Sequence, residues 1–310
     1  LTIVIRLRID LGYDGTRFFG WARQPELRTV QGVLEDALAK VLRWGTLGDG
    51  KPLRLTVAGR TDTGVHASHQ VCHVDVTEES FGHVVGHMDC TPAEALTRRL
   101  RRIVPADVSI HGVSVAPAGF DARFSALERT YVYRVADDIA GRDPRTAGFV
   151  LDLTGYSLDV SAMNDCAAMT IGLHDFGSFA TPNPGGTTIR DVKTAYWARV
   201  PAAQPLVPDE LRRDERYVTP LVESGLLCFT IVADAFARNM VRSLVNGCVA
   251  VGIGKKTVDW FAAKMATPLR EGSTGPIAPQ GLTLEHIAYP ATSGEMATRA
   301  EAIRAVRTLE

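Results

Sequence analysis

The order in which strand-like and helix-like segments follow one another along these 310 residues constrains the fold more than any other feature. Ile3 to Leu11 alternates apolar with polar residues, the period of a strand with one buried face. A glycine-rich turn follows, Gly12-Tyr13-Asp14-Gly15. Thr29 then offers an N-cap, and Val30, Val33, Leu34, Ala37, Leu38, Val41 and Leu42 recur at helical spacing. Leu53 to Ala58 and His69 to Val76 predict two more strands. Thr91-Pro92 opens a helix that runs through Ile103 and is ended by Pro105, and Val108 to Val115 predicts a fourth strand. The series is β-α-β-β-α-β, the split arrangement of ferredoxin-like domains.

The series then repeats. Thr130 to Val135 predicts a strand, Val160 to Ile171 a helix, Ile189 to Val200 and Leu226 to Ala233 two strands, and Arg238 to Val251 an apolar helix. A shorter helix, Val258 to Met265, precedes a last strand from Leu282 to Ala288. Residues 201–224 are polar and proline-containing, with Arg212-Arg213-Asp214-Glu215-Arg216, and predict a loop excursion inserted between strands. The expected division is an N-terminal half over 1–118, a C-terminal half over 119–290, and a tail over 291–310 that forms a surface helix or frays. The expected class is α/β (α+β), two related βαββαβ halves with a cleft between them.

Hydrophobic residues make up 45% of the chain, enough for a substantial core. The longest uncharged stretches, such as Ser243 to Gly254, are too short to span a bilayer, and no signal-like segment opens the sequence. Five scattered cysteines without a Cys-x-x-Cys pair fit reduced thiols in a cytoplasmic protein. Net charge is −1, which argues against a broadly basic nucleic-acid binder. Arginines nevertheless cluster at Arg98, Arg99, Arg101 and Arg102 and near the start of the chain, where they could meet a phosphate backbone or form a solvated surface.

The densest polar segment is Gly59-Arg60-Thr61-Asp62-Thr63-Gly64-Val65-His66-Ala67, between the second and third predicted strands. It reads either as a plain turn or as a backbone-rich loop presenting Asp62. Arg60 favours the second, because a nearby cation keeps a carboxylate ionised. Asp62-Thr63-Gly64 also spells the aspartic-protease triplet, but there is no second copy and the flanks are polar. His66, His69, Cys72 and His73 suggest zinc only until strand parity is applied: Cys72 faces away from His69 and His73, so no metal is expected. Val249 to Lys256 lacks the first glycine and the Ser/Thr of a phosphate loop and reads as a helix end, so no nucleotide cofactor is expected.

Gly59 to Ala67, with Ala58 before it, resembles the catalytic loop of the TruA-type tRNA pseudouridine synthases, AGRTDxGVHA. Other segments agree in order. Tyr13-Asp14-Gly15 with Phe19-Gly20-Trp21 resembles the family's opening, and Thr29-Val30-Gln31 through Leu34-Glu35 its helix start. Phe120 to Ala126 with Arg129-Thr130-Tyr131-Val132-Tyr133 is similar to FDARFSA…R-x-Y-x-Y. His174-Asp175-Phe176, Ser178-Phe179, Phe236 with Asn239 to Arg242, and Pro279-Gln280-Gly281-Leu282 complete the set. Thr63 stands where alanine is usual, and Ala22 where glutamine is common.

The resemblance implies two α/β halves joined into one mixed, mainly antiparallel sheet with a central cleft. It further implies isomerisation of uridine to pseudouridine at positions 38, 39 and 40 of the tRNA anticodon stem-loop. Asp62 would be the essential catalytic carboxylate, Tyr131 the aromatic that stacks on the uracil, Arg242 the arginine paired with the aspartate, and Arg60 a phosphate contact or loop brace. The implied partner is tRNA, bound by a cytoplasmic homodimer without metal or cofactor. The competing expectation is a non-catalytic RNA-binding protein made of tandem RNA-recognition modules, but their K/R-G-F/Y-G/A-F-V-x-F/Y strand is absent from the sequence.

Overall fold

The computed structural model describes residues 3–181, 186–202, 221–268, 274–303 and 308–309. The greater part of the expected excursion, residues 203–220, lies outside them. The class is α/β with mainly antiparallel strands. The chain forms two units, Leu1–Thr130 with Thr283–Thr308, and Tyr131–Leu282 with Leu309–Glu310. No helix of the described residues is long and apolar enough to cross a membrane.

In the first unit the strands are β1 (Val4–Tyr13), β2 (Thr56–Val57), β3 (His66–Thr77) and β4 (Val108–Val115), with β10 (Leu282–Ala288) returning at the end of the chain. Their order is β4-β1-β3-β10, and β2 pairs with β3. β1 lies antiparallel to both neighbours, with Leu7 opposite Val74 and Ile9 opposite Cys72. β10 joins β3 in parallel through Thr283–His66 and Leu284–Ala67. Leu7, Ile9 and Leu11 are wholly buried while Arg6, Arg8 and Asp10 alternate onto the other face, so the period-two pattern does set the core side. Each such side chain contributes about 1.5–3 kcal/mol of burial.

Helices α1 (Val30–Val41) and α4 (Pro92–Ile103) supply the rest of that core through Val30, Leu34, Leu38, Leu96 and Leu100. Both start where the sequence predicts. Thr29 accepts the Gly32 N–H, and Thr91 and Glu94 form a reciprocal capping box ahead of Pro92. Two short helices, α2 (Trp44–Leu47) and α3 (Glu78–His83), sit where only loop is expected; Thr77 caps α3 by accepting the Ser80 N–H. The tail forms α8 (Ser293–Ala302), which buries Met296 and Ala300 and is tied down by the Ser125 hydroxyl on the Met296 carbonyl, 3.2 Å.

The second unit holds β5 (Glu128–Ala136, entering from the first unit), β6 (Leu151–Asp152), α5 (Val160–Ala168), β7 (Gly172–Asp175), β8 (Ile189–Arg199), β9 (Leu227–Ala233), α6 (Met240–Gly252) and α7 (Val258–Ala266). The strand order β5-β9-β8-β7 repeats the first–third–second sequence of β1-β3-β2, as the duplicated pattern predicts. Trp197 and Phe229 stand opposite each other on β8 and β9 with ring centres 5.1 Å apart. Arg199 and the buried Asp137 form a two-pronged ion pair at 2.7 and 2.9 Å.

Several boundaries differ from the sequence reading; β3, for one, begins at His66 rather than His69. The second strand is only Thr56–Val57. α5 ends at Ala168 rather than Ile171, and Gly172, at φ +106°, begins β7, a four-residue strand too short to show alternation. α6 starts at Met240 rather than Arg238, because its N-cap Asn239 is left-handed at φ +61°, a conformation asparagine tolerates. The closing Pro279-Gln280-Gly281-Leu282 gains a steric meaning: a Cβ on Gly281 would sit 2.5 Å from the Tyr133 ring and 2.9 Å from the Arg134 carbonyl. Gly281→Ala is therefore expected to lower stability by about 1–3 kcal/mol through overpacking, seen as a lower urea midpoint at an unchanged slope.

Candidate active site

The loop between β2 and β3 is built around a single tight turn. The Val65 N–H donates to the Asp62 carbonyl at 3.1 Å, placing Thr63 and Gly64 at the two central positions. Gly64 has φ +78°, the value a type II turn requires at its third residue and one that penalises a side chain. Thr63 sits at the permissive position and is exposed. Asp62 is the first residue of this turn and is half-buried. Among the described residues, no hydrogen bond or ion pair engages its carboxylate.

The loop does not hold itself; the opening segment straps it. Gly64 N–H donates to the Phe18 carbonyl at 3.3 Å, and the Trp21 N–H donates to the Thr61 carbonyl at 3.0 Å. Gly20, at φ +80°, passes so close that a Cβ would stand 2.9 Å from the Thr61 oxygen, and a Cβ on Gly15 would overlap the Val65 carbonyl. The glycines of Tyr13-Asp14-Gly15 and Phe19-Gly20-Trp21 are thus points of backbone-to-backbone approach. Trp21 and Phe18 are buried against Tyr13, with ring centres 6.1 and 6.3 Å away. Arg28 lies 4.0 Å over Phe18 and is anchored to Asp107 by two bonds of 2.8 Å.

A buried polar chain runs beneath. The Tyr13 hydroxyl is 2.7 Å from the Thr61 hydroxyl and accepts from the Gln70 amide at 3.3 Å; the same amide donates to the Gly59 carbonyl at 2.8 Å. Burial pushes the Tyr13 phenol up to about 12, and its hydrogen bonds only partly oppose that, so it stays protonated. Arg129, itself buried, donates to the carbonyls of Ala58 and Arg123 at 2.7 and 2.8 Å. The helix-start motif serves the same segment: the Glu35 carboxylate accepts from the Leu55 N–H at 3.0 Å and pairs with Arg23 at 3.2 Å. Sequence reasoning passes over Gln70, Arg129 and Glu35 as site supports because their partners are backbone groups distant in sequence.

Arg60 belongs to this loop, is exposed, and has no hydrogen-bond or ion-pair partner among the described residues. The histidines that suggest zinc in the sequence are committed elsewhere. His69 contacts Asp10 at 2.8 Å and His286 at 3.1 Å, and His73 accepts the Ala122 N–H at 3.0 Å. Among the described residues, no three His, Cys, Asp or Glu side chains are placed to hold a metal ion.

The other two predicted site residues lie in the second unit. Tyr131 on β5 is buried to 8% exposure and meets Phe236 edge-on, ring centres 5.1 Å apart at 89°. Arg242, half-buried in the first turn of α6, donates Nε to the Ile277 carbonyl at 2.7 Å, and the Ile277 N–H returns to the Arg242 carbonyl at 3.2 Å. The Asn239 amide fixes the start of that helix by donating to the Thr181 hydroxyl at 2.9 Å.

A sequence profile of the family described as tRNA pseudouridine synthase matches residues 12–112 and 166–290. A protein of Bifidobacterium longum named tRNA pseudouridine synthase A is 69% identical over 304 residues, covering 98% of this chain and 99% of its own length. Proteins with the same name from Bifidobacterium animalis and Streptomyces griseus are 67% and 43% identical, each across 98% of this chain.

Removing the Tyr13 hydroxyl strips the Thr61 hydroxyl of a buried partner, so Tyr13→Phe is expected to cost about 1–3 kcal/mol in urea unfolding. Its pH signature has a definite sign. The phenol ionises near 10 in an unfolded chain and near 12 in the folded one, so its stabilising share is complete below pH 10 and is lost as pH rises toward about 12. Tyr13→Phe should flatten that part of the alkaline decline, measured as the urea midpoint between pH 9 and about 11.5.

Proposed function

The chain belongs to the tRNA pseudouridine synthase family, and from that membership we propose that it isomerises uridine to pseudouridine in tRNA, with Asp62 as the catalytic carboxylate. The observation that carries this assignment is a carboxylate without a hydrogen-bond or ion-pair partner among the described residues, on a turn whose backbone is strapped on both sides by the opening segment. A surface aspartate has no need of such a mount. A group that must meet a reacting carbon does, since orientation is among the largest contributions to catalysis.

The reaction is internally balanced. The N1–C1′ bond of the nucleotide breaks, the uracil turns, C5 joins C1′, the C5 proton passes to water and N1 takes a proton. No oxidant, reductant or phosphoryl donor enters the balance. The target nucleotide must leave its stack, at about a few kcal/mol. Binding contacts offset that cost: Arg60, exposed and without a hydrogen-bond or ion-pair partner among the described residues, is assigned to the phosphate backbone; Tyr131 to stacking on the uracil; Arg242 to the substrate as a fixed cation. The finer reading takes positions 38, 39 and 40 of the anticodon stem-loop as targets and a cytoplasmic homodimer as the working form.

Tritium release from tRNA carrying 5-³H-uridine reports the bond change itself. Asp62→Ala is expected to slow release by at least about a thousandfold, some 4 kcal/mol, while tRNA affinity stays within a few-fold of wild type. Release at the wild-type rate would remove Asp62 from its role. Arg60→Gln is expected to weaken tRNA binding across substrates and to reduce the salt dependence by about one released counterion, read from log Kd against log salt.

A further inference from the structure

His66 follows Asp62 by four residues and is buried to 6% exposure. Its Nδ1 accepts the Gly15 N–H at 3.0 Å. A ring nitrogen that accepts an N–H carries no proton, so the neutral imidazole must hold its proton on Nε2. That Nε2 is also buried, and among the described residues it has no hydrogen-bond partner. A side chain needed only for volume would be apolar here, because an unmatched buried donor is unfavourable and uncommon.

The surroundings sharpen the point. Asp14 Oδ1 lies 3.1 Å from the same Nδ1, a contact that becomes a hydrogen bond only if that nitrogen is protonated. The Gly15 and Asp14 contacts therefore exclude one another. Asp14 has other donors: the Thr16 hydroxyl and N–H both donate to that same Oδ1, at 2.6 and 3.0 Å. On the other side, Gly15 rests directly on the Val65 carbonyl, and the Val65 N–H closes the turn that begins at Asp62. Fixing the Gly15 amide thus fixes the strap on which that turn rests.

We propose that His66 is a positioning residue for the isomerisation: as the neutral Nε2–H tautomer it holds Gly15 against Val65 and so sets the orientation of the Asp62 turn. This rests on Asp62 being the catalytic carboxylate. Three variants separate the acceptor from the volume. His66→Phe keeps bulk without an acceptor, His66→Asn offers an amide oxygen near the place of Nδ1, and His66→Ala removes both. In single-turnover tritium release at saturating tRNA, Phe and Ala are expected to slow the step by about 10- to 100-fold with tRNA Kd within about threefold, and Asn to recover most of the rate. A folded His66→Phe with wild-type turnover, or an Asn variant as slow as Phe, would overturn the proposal. Should the variants not fold, ¹⁵N chemical shifts of the wild-type imidazole decide: an unprotonated Nδ1 with a protonated Nε2 supports it, and the opposite tautomer or an imidazolium at neutral pH overturns it. Asp62→Ala measured alongside keeps the two ideas apart, since wild-type turnover there sinks the role of Asp62 while the tautomer spectrum is unaffected.

Discussion

Backbone lying on backbone, without side chains between, is the contact on which the first unit's site depends. Gly15 rests on the Val65 carbonyl and Gly20 on the Thr61 carbonyl, so the segment after β1 and the loop before β3 are locked at contact distance. Neither glycine could carry a Cβ without displacing the loop it faces. The two hydrogen bonds from Gly64 to Phe18 and from Trp21 to Thr61 then fix the register of one segment on the other. A loop held this way does not spend ordering entropy when substrate arrives, because folding has already ordered it.

The surrounding polar groups serve that lock rather than compete with it. The Tyr13 and Thr61 hydroxyls and the Gln70 amide satisfy one another and the Gly59 carbonyl in a buried row. Arg129 takes the Ala58 carbonyl just before the loop, and Glu35 takes the Leu55 N–H just before β2. The approach to Asp62 from the N-terminal side thus has its backbone tied to side chains from other elements. The Asp62 carboxylate is left without such a tie among the described residues, which leaves it available to a reacting nucleotide.

Much of this architecture is legible in the sequence, for physical reasons. Leu7, Ile9 and Leu11 announce β1 because one-sided burial enforces a period of two, and Thr29 and Thr91 mark helix starts because orphan N–H groups need acceptors. Gly59 to Ala67 stands out because a tight turn with a left-handed residue demands glycine at 64. What the sequence hides is non-local or short. β7 has four residues and no room for alternation, and the left-handed Asn239 delays α6 by two residues. Gln70 and His66 look like ordinary strand residues until their partners at Gly59 and Gly15 are brought beside them. The roles of Tyr131 and Arg242 are legible only by resemblance, since a strand tyrosine and a helix arginine have ordinary structural uses.

The lock itself is the central claim, and its most direct measurement is the single-turnover isomerisation rate of Gly15→Ala at saturating tRNA. An added methyl there must push the opening segment off Val65 while leaving Asp62 and every assigned binding side chain in the sequence. The expected result is a folded protein with near-normal tRNA affinity whose rate falls by about a hundredfold or more, the cost of a carboxylate misplaced by about an ångström. A folded Gly15→Ala protein turning over at the wild-type rate would contradict the account, because the mount of Asp62 would then be irrelevant to its chemistry.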